Sequence, residues 1–249
     1  MEVVGSGFLA RHFAAHCGDR YPEVTVIAAG VSTTAAADPA AFAREAALVD
    51  EVLDRCRRSG RTAVFLSTSS AALYGSDGVP GTEDSPVTGR NAYGRHKLAL
   101  ERRCAESGAR HLVLRLTHLV GAGQQPGQLL PTLVRGVLAG SVTVHPAAHR
   151  DLLDVRHVPP VLAELCSREV RGEVVNVASG VPIAVPDLVE ALQRHLGVRA
   201  ELHRVARPPQ LTRVSLAKLH RLVPWFAELD FGPGYLDDLL TRYLPARTS

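Results

Sequence analysis

Short apolar runs alternate with longer segments of helical period along most of the chain. The runs predict buried β-strands at residues 2–4, 24–30, 62–67, 111–116 and 173–179. Asp38, Pro39 and Gly60 suit the N-cap, the first helical position and the stop of a long helix over residues 38–59. Because single helices separate the buried strands, the pattern predicts an α/β fold with an open parallel sheet and right-handed crossovers.

The stretches after residue 123 are less regular. A loop and helix, the short strand "SVTVHP" and the amphipathic helix "VPDLVEALQRHLG" predict a small lobe beside the sheet. We expect one domain over 1–249, with a sheet core at 1–123 and 150–180 and the lobe at 124–149 and 181–249. Residues 68–91 are rich in Gly, Pro and Ser, and a loop of that length is more often functional than a linker.

The composition is that of a soluble globular protein, with 46 % hydrophobic and 21 % charged residues in a chain of 249. A net charge of only +3 and scattered arginines do not support a nucleic-acid or membrane-surface partner. No stretch approaches the ~20 apolar residues that span a bilayer, and basic residues interrupt the apolar N-terminus too early for a signal peptide. We expect a cytoplasmic protein with no metal site and four reduced cysteines, namely Cys17, Cys56, Cys104 and Cys166.

A glycine-rich turn, Gly5-x-Gly7-x-x-Ala10, joins the first strand to the first helix. Its glycines permit a tight turn that brings a pyrophosphate close to the helix N-terminus, where unpaired N–H groups favour an anion. Such turns are common between strands and helices. Taken alone, the motif is more often structural than part of a cofactor site.

Tyr93 and Lys97 form a Tyr-x-x-x-Lys pair in a predicted helix. Lysine is rare in this chain, since only two of the 28 Lys and Arg residues are lysines. Positions i and i+4 share one helix face, so the two side chains point into the same space. An ammonium there would lower the pKa of the phenol from its usual ~10 and could also bind a cofactor ribose. A solvated surface pair is the alternative.

Hydroxyl side chains cluster where the strand at 62–67 ends, in "FLSTSSAALYG". The carboxyl ends of strands in open α/β sheets form the crevice in which ligands bind. A serine there could hydrogen-bond a substrate carbonyl as it gains negative charge during reduction. A Ser-rich loop start is the alternative. The glycine turn, the serine cluster and the Tyr–Lys pair each fall where a cofactor and a substrate would meet.

Together these motifs resemble the extended short-chain dehydrogenase/reductase family, the NAD(P)-dependent epimerase/dehydratase group that acts largely on nucleotide sugars. The resemblance spans nearly the whole chain and includes "SSAALYG", "TEDSPVTGRNAYGRHKLALE", "LRLTHLVGAGQQPG" and "HRDLLDV". It implies a Rossmann-type fold and the catalytic residues Ser70, Tyr93 and Lys97, with Tyr93 as proton donor and Lys97 assisting it. The serine run leaves Ser69 as a second candidate for the hydroxyl.

The resemblance also implies which residues bind the ligands. Arg150 would bind the diphosphate of a nucleotide-linked substrate. Ser69, Ser70 and His118 would also contact this substrate. His118 stands where the family often has an asparagine, and it could contact a ligand, donate a proton or be a packed polar residue. The residues implied at the cofactor are Gly5, Ser6, Gly7, Phe8, Leu9, Arg11, Ala28, Ala29, Gly30, Ser67, Tyr93, Lys97, Thr117, His118 and Leu119.

The first half of the chain departs from the family pattern. Val4 and Ala10 stand where the family's turn has two further glycines. Only one strand separates the first strand from the serine-bearing strand, where the family has three, so we expect two strands to be missing. The acidic residue that holds the adenosine ribose is missing with them. This puts adenine binding in doubt, allows NADP as well as NAD and slightly favours NADPH, whose 2′-phosphate Arg11 could attract.

Ala71 and Ala72 stand where the family's dehydratases carry an Asp-Glu pair, so dehydration is not expected. An epimerase must retain its cofactor, and a chain without the ribose anchor is poorly built for that. The sequence therefore favours a ketoreductase of a nucleotide-linked 4-keto-6-deoxy sugar. The alternatives are a nucleotide-sugar epimerase, a ketoreductase of a polyketide or aglycone, and a non-catalytic cofactor-binding protein. The resemblance also implies a homodimer formed through the helices at 38–59 and 92–107.

Overall fold

Five parallel strands form the central sheet. A computed structural model describes residues 1–31 and 38–245; residues 32–37 and 246–249, which the expected domain includes, lie outside the described residues. The strands are β1 Glu2–Val4, β2 Val24–Ile27, β3 Thr62–Thr68, β4 Asp77–Gly81, β5 Arg110–Leu116, β6 His118–Val120, β7 Ser141–Val144, β8 His149–Asp154, β9 Glu173–Val177, β10 Pro182–Ala184, β11 Glu201–Arg204 and β12 Leu211–Val214. The helices are α1 Phe8–Cys17, α2 Pro39–Ser59, α3 Ala92–Glu106, α4 Leu129–Leu138, α5 Val158–Ser167, α6 Val185–Leu196, α7 Ala217–Leu222 and α8 Tyr235–Tyr243.

The order of strands in the central sheet is β1-β2-β3-β5-β9, and every pair is parallel. All five strands were predicted, with boundaries that differ by up to three residues, so the predicted open α/β sheet is confirmed. Strand β1 pairs with β2 and lies at the edge of the sheet, and α1 leads directly from one to the other. One strand thus separates β1 from the serine-bearing β3, as expected.

Helices cover both faces of the sheet. Alternate residues of a strand point to opposite faces, and each face has its own apolar cluster. On one face α2 and α3 pack Leu53 and Leu100 against Phe65 of β3. On the other face α1 and α5 pack Phe13 and Leu162 against strands that include β3 and β5. The core therefore lies in two layers, with the sheet between them.

Helix α2 begins and ends where the sequence predicts. The Asp38 carboxylate accepts a hydrogen bond from Ala40 N at 2.9 Å, and Pro39 occupies the first helical position. Gly60 ends the helix with φ of +68°, a left-handed conformation that glycine adopts without strain.

A third apolar cluster forms the lobe, where α4, α6 and α8 pack together. The assignment of all of 181–249 to this lobe needs correction, because Leu219, Val223 and Phe226 are buried in the core of the central sheet instead. The expected loop at 68–91 also contains β4, which pairs with the distant β12. No helix among the described residues has the length and apolar character needed to cross a bilayer.

Candidate active site

The glycine-rich turn lies at the carboxyl end of β1, beside the end of β2. Gly5 has φ of +125°, and a Cβ there would lie 2.8 Å from Ala29 N, so close packing of the two strand ends requires glycine. Ala28 and Ala29 are half-buried and Gly30 is exposed beside this turn. Three of the predicted cofactor residues therefore lie next to the turn.

Helix α1 presents an open N-terminus to this crevice. Gly7 is its N-cap, no side chain caps it, and a Cβ on Gly7 would meet no atom within 4 Å. The first N–H groups of a helix lack intrahelical partners and attract anions. The turn therefore fits the pyrophosphate of a dinucleotide. The Phe8 side chain is buried, so its contribution to such a site would come from its backbone N–H.

Arg11 is hydrogen-bonded to the same turn. Its guanidinium donates to Ser6 O at 3.3 Å and to Gly123 O at 3.0 Å, which ties the turn to the loop after β6. Leu9 packs against the core of the sheet. Arg11 thus places a positive charge beside the turn, as the sequence predicts. A contact between Arg11 and a phosphate stays a prediction.

Helix α3 holds Tyr93 and Lys97 against the end of β3. Asn91 caps the helix by accepting a hydrogen bond from Gly94 N at 2.7 Å. A Cβ on Gly94 would lie only 2.2 Å from Ala72 O, so the first turn of the helix sits directly on the chain that follows β3. Lys97 Nζ lies 5.8 Å from the centre of the Tyr93 ring, and the lysine is buried. The two side chains share one face, and the alternative of a solvated surface pair is wrong for Lys97.

Thr68 links the serine cluster to Tyr93. Thr68 Oγ1 donates to Ser70 Oγ at 3.0 Å, and the Thr68 hydroxyl is close enough to the phenol of Tyr93 to lower the pKa of Tyr93. Ser70 keeps part of its surface exposed, whereas Ser69 is 1 % exposed and its buried hydroxyl has no hydrogen-bond partner among the described residues. The geometry favours Ser70 over Ser69 as the reactive hydroxyl. Sequence reasoning missed Thr68.

The expected effect of Lys97 on Tyr93 is not what this structure shows. Burial and the nearby Glu45 carboxylate raise the pKa of Tyr93, and only the hydrogen bond with Thr68 lowers it. Lys97 Nζ instead binds Glu45 Oε1 at 2.7 Å, and this carboxylate compensates its positive charge. Tyr93 is therefore a protonated phenol at neutral pH.

Ser67 requires a correction as well. Its hydroxyl donates to Glu101 Oε1 at 2.5 Å, and Glu101 forms a buried ion pair with Arg115 on β5. Arg115 Nη1 also donates to Tyr74 OH at 2.7 Å. The Ser67 hydroxyl thus belongs to a structural network on the α3 face of the sheet and is committed there rather than to a cofactor.

His118 and Arg150 lie together beyond the end of the sheet, on the neighbouring strands β6 and β8. Arg150 donates to His149 O at 2.7 Å and to Gln210 Oε1 at 3.0 Å, and among the described residues no carboxylate lies within 4 Å of it. Burial and the Arg150 charge lower the pKa of His118 to about 4. His118 is therefore neutral at pH 7, which argues against its role as a proton donor. The neighbouring Thr117 hydroxyl donates to Asp151 O at 2.8 Å.

Known proteins resemble this chain in sequence and in fold. The sequence model described as the NAD dependent epimerase/dehydratase family matches residues 5–178, which is more than half of the chain. UDP-glucose 4-epimerase 2 of Arabidopsis thaliana is 28 % identical over 195 residues, which cover 65 % of this chain and 55 % of that protein. The chain thus spans about half the length of this curated relative.

Solved structures share the fold. RMD from Pseudomonas aeruginosa complexed with NADPH superimposes with a TM-score of 0.77 and 24 % identity, covering 96 % of this chain and 97 % of that one. MoeE5 in complex with UDP-glucose and NAD gives a TM-score of 0.77 and 18 % identity, covering 96 % and 95 % of the two chains. At this level of identity the likeness establishes the Rossmann-type architecture.

Proposed function

The chain belongs to the NAD dependent epimerase/dehydratase family, and on that premise we propose that it is an NAD(P)H-dependent ketoreductase. Its substrate would be a nucleotide-activated sugar with a keto group, of the 4-keto-6-deoxy type. The observation that carries this proposal is the placement of Ser70 and Thr68, at the end of β3, beside Tyr93 and the buried Lys97 of α3.

Each of these residues has a defined part in the reduction. The dinucleotide, when bound at the open N-terminus of α1, supplies the hydride. Ser70 would donate a hydrogen bond to the substrate oxygen as negative charge develops on it. Tyr93 would then give its phenolic proton to that oxygen, and a positioned acid contributes typically ~10²–10⁴-fold to such a step.

Retention of the cofactor favours reduction over epimerisation. Burial and Glu45 raise the pKa of Tyr93, so the phenol holds the proton that a reduction requires. An epimerase must keep its cofactor through a full cycle of oxidation and reduction, and among the described residues no strand beyond β1 carries an anchor for the adenosine ribose. Dehydration lacks an acid–base pair, because Ala71 and Ala72 follow the reactive serine.

For the cofactor we propose NADPH or NADH, with NADPH favoured. Two observations support this. Strand β1 lies at the sheet edge, so among the described residues no strand beyond it supplies an acidic residue for the adenosine ribose. Arg11 adds a positive charge beside the turn that would receive the phosphates. Without an acidic residue, the site does not repel the 2′-phosphate of NADPH. The positive charge of Arg11 would attract this phosphate.

For the substrate we propose a nucleoside diphosphate sugar held by Arg150. Its guanidinium is half-buried and uncompensated by any carboxylate among the described residues, and such a group has a strong affinity for a diphosphate. His118, neutral and adjacent, can supply a polar contact. The family includes proteins that act on nucleotide sugars, and the structural relative MoeE5 is seen with UDP-glucose.

The test is NADPH consumption with a panel of nucleotide-linked 4-keto sugars, comparing the wild type with Tyr93→Phe. The variant keeps the ring and its packing but has no proton to donate, so we expect a loss of ~10²-fold or more in kcat. Equal rates would contradict the assignment of Tyr93 as the acid. Interconversion of two sugar epimers without net consumption of NADPH would show that the chain is an epimerase instead.

We also propose that the protein forms a homodimer through α2 and α3. The exposed positions of α2 include Glu51, and those of α3 include Arg95 and Arg102. Opposite charges on the two helices can meet across a twofold axis. Light scattering after size-exclusion chromatography tests this, and a monomer that does not change with concentration would contradict it.

A further inference from the structure

Arg11 on α1 connects two segments that are far apart in the sequence. Its guanidinium donates from Nη1 to Ser6 O at 3.3 Å and from Nη2 to Gly123 O at 3.0 Å. Ser6 belongs to the glycine-rich turn after β1, and Gly123 belongs to the loop at 121–128, which follows β6 and leads to α4. One planar side chain therefore bridges the turn and this loop.

The loop at 121–128 is shaped to receive the arginine. Gly123 has φ of +82°, and a Cβ there would lie 2.6 Å from Arg11 Nη2. A side chain at this position would therefore displace the guanidinium, and the left-handed backbone also favours glycine. His12, the next residue of α1, contacts Ala122 O through Nε2 at 3.2 Å. Two successive carbonyl groups of the loop thus bind side chains of α1.

The hydrogen bond to Ser6 O also fixes the direction of a backbone donor. The peptide bond between Ser6 and Gly7 is trans, so its C=O and N–H groups point in opposite directions. While Arg11 holds the carbonyl group, the Gly7 N–H points away from the guanidinium. The N–H groups of the turn and of the open N-terminus of α1 are those that would bind a pyrophosphate. Arg11 therefore acts on this site through the backbone as well as through its charge.

We propose that Arg11 is a positioning residue for the dinucleotide, whose planar fork holds the glycine-rich turn and the loop at 121–128 in the arrangement that binds the pyrophosphate. The proposal deepens the proposed function and rests on it for the binding of a dinucleotide at this turn. Charge alone does not suffice for this role, because the two carbonyl groups need two donor nitrogens at a fixed separation. Arginine provides such a pair of nitrogens, whereas lysine donates from a single nitrogen on a flexible stem.

Arg11→Lys separates the bridge from the charge. Isothermal titration calorimetry with NADPH and with NADH measures the Kd of each dinucleotide. We expect both Kd values to rise about fivefold or more, because the lysine keeps the charge but loses at least one of the two hydrogen bonds. The ratio of the two Kd values should stay that of the wild type. Amide hydrogen exchange should become faster in the loop at 121–128 and stay unchanged in β5.

A change on the loop side tests the same contact. Gly123→Ala places a methyl group against the guanidinium and should raise both Kd values to a similar extent. Gly127→Ala is the matched control, since a Cβ at that position of the same loop meets no atom within 4 Å. The double variant with Arg11→Lys and Gly123→Ala should bind little more weakly than either single variant, because both changes remove one contact.

Binding of both dinucleotides to Arg11→Lys as tightly as to the wild type would show that only the charge acts, and would overturn the proposal. A lower melting temperature of this variant with faster exchange throughout the sheet would show a purely structural role, and would overturn it too. A wild type that binds neither dinucleotide would overturn both this proposal and the proposed function. A wild type that binds NADPH but reduces no ketone would contradict the ketoreductase alone, and the comparison of Kd values would still decide the role of Arg11.

Discussion

Thr68 Oγ1 donates to Ser70 Oγ across 3.0 Å, and the same threonine lies near the phenol of Tyr93. The neighbouring hydroxyl of Ser69 is buried and without a partner among the described residues. Of the two adjacent serines, Ser70 is the one that keeps part of its surface exposed for a substrate.

We expect Ser70→Ala to lower kcat by ~10²–10³-fold, as removal of one donor to a developing oxyanion does. Steady-state rates of NADPH consumption measure this. Ser69→Ala is the matched control and should keep a rate close to that of the wild type. A larger loss in Ser69→Ala than in Ser70→Ala would assign the hydroxyl to Ser69.

Arg150→Ala should raise KM for a nucleotide sugar roughly tenfold or more, because hydrogen bonds to a charged group contribute ~1.5–3 kcal/mol. The value of kcat should change less, since a contact with the diphosphate acts on binding rather than on proton transfer from Tyr93. Arg194→Ala removes an equal charge from an exposed surface pair and should leave KM unchanged. An unchanged KM in Arg150→Ala would favour an uncharged substrate such as a polyketide.

His118 should make stability depend on pH. Burial and Arg150 lower its pKa from 6.5 to about 4, so the unfolded chain binds a proton between these values that the folded chain does not. Stability from this group is therefore fully present above pH 6.5 and is lost as the pH falls to about 4, by up to roughly 3 kcal/mol.

Urea unfolding at several pH values measures this loss. The difference between the wild type and His118→Gln should shrink as the pH falls through this window. In an Arg150→Met background the loss should be smaller, because one of its two causes is gone. A difference between wild type and His118→Gln that is constant from pH 7 to about 4 would contradict the prediction.

Asp154 should be critical for the attachment of α8. Its buried carboxylate accepts hydrogen bonds from Tyr243 OH at 2.7 Å and from Arg242 Nη1 at 3.0 Å, both on α8. Asp154→Ala leaves these donors without their acceptor, so we expect a loss of about 3–5 kcal/mol in the free energy of unfolding. Asp238→Asn, an exposed change on the same helix, should stay within about 0.5 kcal/mol. A similar effect for both variants would contradict the role of Asp154.

The sequence predicts the sheet and α2 well because their signals are local. A buried strand is a short apolar run, and Asp38, Pro39 and Gly60 mark the ends of α2 through their own backbone and side-chain chemistry. The pairing of β4 with β12 depends on residues about 130 positions apart, such as Gly81 and Val214. A local sequence pattern does not predict such a pairing.

In the candidate site too, local patterns are predictable from the sequence and contacts between distant residues are not. Tyr93 and Lys97 are found from their spacing, but the partner of Lys97 comes from a different helix. One signal was available: Glu45 is a charged residue on the stripe of α2 that otherwise buries Val49 and Leu53. A charge in such a stripe usually has a partner, although the sequence does not say which. The choice of Ser70 over Ser69 as the reactive hydroxyl likewise depends on burial and on the hydrogen bond from Thr68, which the sequence does not show.

The contact between Gly94 and Ala72 O has a consequence for how the site tolerates change. No side chain separates the start of α3 from the chain after β3, so main-chain atoms alone set the spacing between the phenol and the hydroxyls. A single methyl group at position 94 would therefore force the phenol and the hydroxyls apart, even with the apolar layers unchanged.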